Sequence, residues 1–149
     1  MRSHPLPVDF LVRSPEGRLV AAVEAKRRLG TTPEWAARLK TAMLASGELG
    51  ELGEPLFFVV VVPDKIYIWT SPANESLPII VDARVELASY YERVAVDADH
   101  IYPMAFENLV WLWLRELTMG LERARTPELV DSGLDQAVEN GHLVYEDAA

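Results

Sequence analysis

Asp9, Glu24 and Lys26 are the side chains whose types and spacing carry the most chemistry in this chain. Glu24 and Lys26 flank Ala25, and the alternation of a strand puts both on one face, with Val23 and Ala25 on the other. Phe10-Leu11-Val12-Arg13 reads as a strand, Ser14-Pro15-Glu16-Gly17-Arg18 as a turn, and Leu19-Val20-Ala21-Ala22-Val23 as a second strand. A hairpin turning about Glu16-Gly17 brings Asp9 opposite Glu24. Two carboxylates facing each other in a half-buried sheet repel unless a cation sits between them or one takes up a proton. Together with the adjacent ammonium, that is the chemistry of a divalent-metal site. The competing reading is an ordinary exposed hairpin with Glu24 and Lys26 paired, an interaction worth about 0 to 1 kcal/mol.

The elements that must position these groups follow in sequence. Leu29-Gly30-Thr31 reads as a turn. Thr32-Pro33-Glu34-Trp35 is a helix start, with Thr as N-cap, Pro at the first helical position and Glu in the first turn. The helix is expected to run to Ser46-Gly47, with Trp35, Leu39, Ala42 and Met43 facing the sheet and Arg38 and part of Lys40 nearer solvent. An acidic, Gly-rich loop follows from Glu48 to Pro55. Leu56 to Val62 is continuously apolar, the mark of a strand covered on both faces. Ile66 to Thr70 returns after a Pro63-Asp64-Lys65 turn. The expected fold is α/β of the α+β type: a mixed sheet built from two β-hairpins flanking a helix, with an apolar C-terminal helix.

An aspartate on one strand and an acid-x-lysine triplet on the next, followed by a helix and a second hairpin, resembles the active site of the PD-(D/E)xK nuclease superfamily. The resemblance covers residues up to about Thr70 and implies a restriction-endonuclease-like core. It implies Asp9 and Glu24 as ligands of Mg2+ or Mn2+, with Ala25 lending its backbone carbonyl and Lys26 positioning or activating the attacking water. The activity implied is hydrolysis of phosphodiesters in DNA, or in RNA. The chain departs from the family pattern in three ways. Only eight residues precede Asp9, where the family usually has a strand and a helix that often carries a further acid. The signature Pro-Asp dipeptide reads Pro7-Val8-Asp9. The Gln or Lys that often assists from the following helix has Arg38 and Lys40 as its candidates.

At 149 residues, half of them hydrophobic, the chain has the material for one domain with a substantial core. The reading divides it into a nuclease-like core over about 6–70, a helical part over 79–126 and an acidic tail over 127–149. No run approaches the roughly 20 apolar residues that cross a bilayer, and residues 1–5 lack an apolar signal region, which points to a cytoplasmic protein. There is no cysteine, which excludes disulfides, thiol nucleophiles and thiolate metal sites. Net charge is −9, adverse for a nucleic-acid binder. Its distribution is not even: residues 1–40 carry a net +4 and the remainder a net −13. Arg13, Arg27, Arg28, Arg38 and Lys40 are therefore the expected phosphate-binding groups.

The second half offers less chemistry. Ile79 to Val81 reads as a short strand and Val85 to Tyr91 as a short helix. Asp97, Asp99 and His100 have the types of metal ligands, yet their setting before Pro103 is that of a turn. The longest helix is expected from Phe106 to about Arg125. Its Leu109 to Leu114 centre is apolar all round and must be covered on several sides. Trp111 and Trp113 are accordingly expected at a homodimer interface. This helix is also a candidate for the place of the absent N-terminal helix, with Glu107 or Glu116 as the acid. Leu134 to Glu139 reads as a helix ended by Asn140-Gly141, and Leu143-Val144-Tyr145 as an exchanged arm or a loosely held end. A non-catalytic binding or assembly module of the same fold is the second functional reading. A ligand-binding domain unrelated to nucleases is the third, preferred if Asp9 is remote from Glu24.

Overall fold

The computed structural model describes residues 8–45, 54–70, 72, 77–121 and 125–145. Strands β1 (Phe10–Arg13) and β2 (Leu19–Ala25) form the first hairpin, with Phe10 opposite Val23. Its turn is closed by Gly17 N–H donating to the Ser14 carbonyl at 2.9 Å, with Gly17 in the left-handed region at φ +89°. A side chain there would be strained, which is why the Glu-Gly pair marks the turn.

Helix α1 (Pro33–Ala45) then crosses the sheet, and β3 (Phe57–Val62) returns parallel to β2, with Glu24 beside Val60. Parallel neighbours need such a crossover, and strands buried on both faces read as unbroken apolar runs. Both hold here: every residue of β3 after Phe57 is buried. β4 (Lys65–Trp69) and β5 (Ile79–Asp82) extend the sheet in antiparallel fashion. The result is an α+β fold, a six-stranded mixed sheet in the order β5-β4-β3-β2-β1-β6. The two expected hairpins about a helix are both present.

Past β5 lie α2 (Ala83–Glu86), α3 (Ala88–Val94), α4 (Pro103–Thr118), α5 (Pro127–Ser132) and α6 (Leu134–Val138), then β6 (His142–Tyr145). They cover one face of the sheet, where Phe10, Val12, Val23, Val59 and Val61 meet Leu109, Trp113 and Leu134. α1 covers the other face, over Leu11, Ala22, Phe58, Val60 and Trp69. β6 pairs antiparallel with the outer edge of β1, with Tyr145 opposite Phe10. The segment expected as an exchanged arm or loose end is thus a sheet strand of its own chain.

Several expectations are corrected. α4 begins at Pro103, the first helical position, and ends at Thr118, ahead of Gly120 at φ +66°, rather than running from Phe106 to Arg125. Trp113 is fully enclosed within the subunit and its indole N–H donates to Glu86, so it presents no surface to a second copy. Trp111 is half-buried, set edge-on to Tyr145 at 5.7 Å. On α1 the buried positions are Ala36 and Lys40, while Ala42 is exposed. Trp35, Leu39 and Met43 pack against the core on this side of the sheet as expected, and Lys40 joins them, its ammonium 5.3 Å from the Trp69 ring centroid and donating to the Pro72 carbonyl at 2.8 Å. The expected helix end at Ser46-Gly47 and the loop residues 48–53 lie outside the described residues. No helix among the described residues is long and apolar enough to cross a membrane.

Candidate active site

The β1/β2 register, carried one step past Phe10 and Val23, sets Asp9 across from Glu24. Backbone and side chain then interlock. Asp9 N–H donates to Glu24 Oε1 at 2.9 Å, and Ala25 N–H donates to Asp9 Oδ2 at 2.8 Å. Each carboxylate is held by the backbone of the opposite strand. Ala25, expected to lend its carbonyl, contributes its amide to this lock. Lys26 completes the group, its ammonium 3.2 Å from Glu24 Oε2. Glu24 is 7% exposed, whereas the Lys26 side chain is 45% exposed, so the ammonium faces the solvent side of the pair.

Glu24 is pushed up to about 7 from the usual carboxylate range. Burial is the largest cause, followed by the Asp9 charge and a hydrogen bond between the two carboxyls; Lys26 and the Asp9 amide oppose the rise. Near neutral pH Glu24 is therefore close to the point where it takes up a proton. Glu107, on the second turn of α4, is also raised: first by burial, then by the charge of Asp9, with Lys26 opposing. It feels both charges and so belongs to the site's electrostatic neighbourhood. Glu116 does not; it is buried elsewhere, taking a hydrogen bond from Tyr90 at 2.7 Å and an ion pair from Arg93 at 3.2 Å.

No protein-family pattern matches the chain, and neither curated proteins nor solved structures give a match. Its chemistry is therefore read from its own residues.

The donor set suits a hard divalent cation. Mg2+ is commonly held through one or two carboxylates, the remaining positions going to water and substrate oxygens. Asp9 Oδ2 and Glu24 Oε1 each accept only one N–H from the interlock, and a carboxylate oxygen offers about two lone pairs. Among the described residues no three of His, Cys, Asp or Glu converge as metal ligands.

The expected phosphate-binding residues divide. Arg28 and Arg38 are exposed, with Arg28 lying over the Trp35 ring at 5.3 Å. Arg27 is engaged with the chain itself, donating to the Asp99 and Ile101 carbonyls, both at 2.8 Å. That clamp ties the loop before α4 to the strand end carrying Lys26. Lys40 is buried, which corrects its expected exposure and removes it from the surface. Arg13 sits at the other end of β1, roughly 13 Å along the strand from Asp9, and donates to the Gly17 carbonyl. Asp97 pairs with His100 at 2.6 Å and Asp99 with Arg84 at 2.7 Å, a self-satisfied turn. Arg27's role in fixing that loop had no signal in the sequence, since its partners are carbonyls more than 70 residues away.

Proposed function

We propose that the Asp9, Glu24 and Lys26 group is the centre of a metal-dependent phosphodiesterase of the PD-(D/E)xK kind, acting on DNA. The observation that carries the reading is the reciprocal lock between Asp9 and Glu24, which holds two acids together against their repulsion. Asp9 and Glu24 would hold Mg2+ or Mn2+, an ion that polarises a phosphoryl oxygen and lowers the pKa of bound water. Glu24 must be ionised to act as a ligand, and its position near 7 makes that change of state accessible at neutral pH. Lys26 holds a fixed positive charge at the open side of the pair, where it offsets negative charge developing on phosphorus oxygens.

Two further features support the reading. The family usually carries a strand and an acid-bearing helix ahead of the aspartate strand. In this chain a strand beside β1 and a helix with an acid near Asp9 both come from the C-terminal part, as β6 and as α4 with Glu107. Pairing of two copies through the half-buried Trp111 belongs to the same proposal, and sedimentation of the purified chain tests it.

The second reading, a non-catalytic binding or assembly module, is favoured by the net charge of −9 and by the engagement of Arg27 and Lys40 with backbone carbonyls. Titration calorimetry with Mg2+ and Mn2+ separates the two, on the wild type and on Asp9→Ala with Glu24→Ala, followed by plasmid nicking in the same samples. Metal binding and nicking that vanish together in the variant support the phosphodiesterase. Absence of metal binding in the wild type turns the assignment to the assembly module.

A further inference from the structure

Helix α4 packs along the sheet with its first turn at the end where Lys26 sits. Two observations fix that placement: Arg27, next to Lys26, donates to the Ile101 carbonyl at 2.8 Å, and Glu107 feels the charges of Asp9 and Lys26. Tyr102 lies between these tie points, directly after Ile101 and roughly 8 Å along the helix axis from Glu107.

Its backbone is held from both sides. Ile101 is buried, Pro103 has its φ locked by its ring, and the Tyr102 carbonyl accepts from Phe106 N–H at 2.8 Å. The ring is nonetheless left in solvent: Tyr102 is 79% exposed, and Met104 close by is 69% exposed. The phenol serves no purpose at the helix start, since Tyr102 is the N-cap residue and makes no side-chain capping bond. A single exposed apolar side chain is ordinary, but a mounted aromatic with two χ angles to lose, beside a group suited to a phosphodiester, is a platform on which a base can stack.

Charge decides which form of DNA suits it. A duplex carries one negative charge per about 1.7 Å of axis, and this chain carries a net −9. Lys26 and Arg28 are exposed at this end of the sheet, while Arg27 donates to backbone carbonyls and Arg84 pairs with Asp99. Phosphate contacts are therefore a poor source of affinity here. A single strand is less densely charged and has unpaired bases that stack on aromatic rings without regard to net charge.

We propose that Tyr102, with Met104 beside it, stacks an unpaired base of a DNA strand whose phosphate lies at the Asp9, Glu24 and Lys26 group, so that the substrate is single-stranded or locally unpaired DNA. The inference rests on the phosphodiesterase reading of that group and names the form of its substrate.

The test is fluorescence anisotropy of the full chain with a labelled short single strand and the matching duplex in Ca2+, with cleavage of both followed in Mg2+. Single-strand binding at least about fivefold tighter than duplex binding is expected. Tyr102→Ala should weaken it about tenfold and leave duplex binding unchanged, whereas Tyr102→Phe, which keeps the ring, should stay within about twofold of the wild type. A fluorescent adenine analogue in the strand should be quenched by the wild type and less so by Tyr102→Ala. Duplex bound as tightly as the single strand, no binding of either, or single-strand binding unchanged in Tyr102→Ala overturns the proposal; Mg2+-dependent cleavage that persists in those cases leaves the phosphodiesterase reading standing. Stacking on Tyr102 without any cleavage upholds the base platform and overturns the phosphodiesterase reading instead. Circular dichroism establishes that each variant is folded, and the strand preference of the wild type decides without them.

Discussion

Asp9 and Glu24 are joined twice across the first hairpin, by the Asp9 amide on Glu24 Oε1 and by the amide following Glu24 on Asp9 Oδ2. Swinging either carboxylate away forfeits a bond to a half-buried amide, and an amide left unpaired there is costly. The repulsion between the acids therefore cannot be relieved by rotation. What remains is to take up a proton or a cation, and the raised Glu24 is the proton route.

The first consequence is a pH dependence of stability. Glu24 titrates at 4.5 when unperturbed and at about 7 in the fold. Between those values the folded protein keeps a proton that the unfolded chain has released. The contribution is fully present below 4.5 and is lost as pH rises through about 7. We expect a loss of about 1 to 3 kcal/mol, allowing for screening of a pair at the sheet's end. Urea unfolding at several pH values measures it. Glu24→Gln should remove most of that slope; an unchanged slope would sink the assignment to Glu24.

Lys26 separates ion binding from chemistry. Its charge lowers the Glu24 pKa, so Lys26→Met should push Glu24 higher and shift metal binding toward higher pH. At a pH where the variant is saturated with Mg2+, nicking should still fall by about a hundredfold, because the positive charge offsetting the transition state is gone. Equal nicking rates at saturation would assign Lys26 to ion pairing alone.

Glu107 and Glu116 share a helix and differ in role. Glu107 is exposed and coupled to Asp9, so Glu107→Gln should leave the unfolding midpoint nearly unchanged while weakening Mn2+ binding several-fold. Glu116→Gln should leave Mn2+ binding alone and destabilise the fold by about 1 to 2 kcal/mol, since it disturbs the Tyr90 and Arg93 contacts. Calorimetry and chemical denaturation on the two variants give the comparison, and a reversed pattern would refute it.

The hairpin, the capped α1 and the second hairpin were legible in the sequence because their signals are local. Short unbroken apolar runs, a Glu-Gly turn, and Thr32 accepting from the Trp35 amide at 3.1 Å all lie within a few residues. The opposition of Asp9 and Glu24 followed from the register alone. What stayed hidden depended on distant partners. Lys40 reads as a solvent-facing cation until Trp69 and Pro72 are brought over it. His142–Tyr145 is too short to declare itself a strand, and only the open edge of β1 makes it one. Trp113 sits in an all-round apolar helix whose extra faces suggested a second copy. In the structure those faces are filled from within the chain, by the sheet and by α6.

Glu86 tests that internal packing. Its buried carboxylate takes Thr126 N–H and Oγ1, both at 2.9 Å, along with Trp113 Nε1 and Arg125 Nη1. It ties α2, α4 and the start of α5 together. Removing it strands a buried guanidinium, and Glu86→Ala should cost about 3 to 5 kcal/mol. Thermal unfolding followed by near-ultraviolet circular dichroism is the measurement, and a cost below about 1 kcal/mol would mean the network is dispensable.

The last prediction concerns which cations would meet DNA under the proposed phosphodiesterase function. Arg28 is exposed near the strand end that carries Lys26, whereas Lys40 is buried on the sheet-facing side of α1. Releasing counterions requires a charge that reaches phosphate, so Arg28→Ala should weaken binding across sequences and reduce the salt slope by about 1. Lys40→Met gives up the buried ammonium's contacts with the Trp69 ring and the Pro72 carbonyl, so its effect falls on stability and leaves the salt slope unchanged. Fluorescence anisotropy with a labelled duplex over a salt series reads both variants. A reduced slope in Lys40→Met with none in Arg28→Ala would place the nucleic-acid surface on the other side of α1.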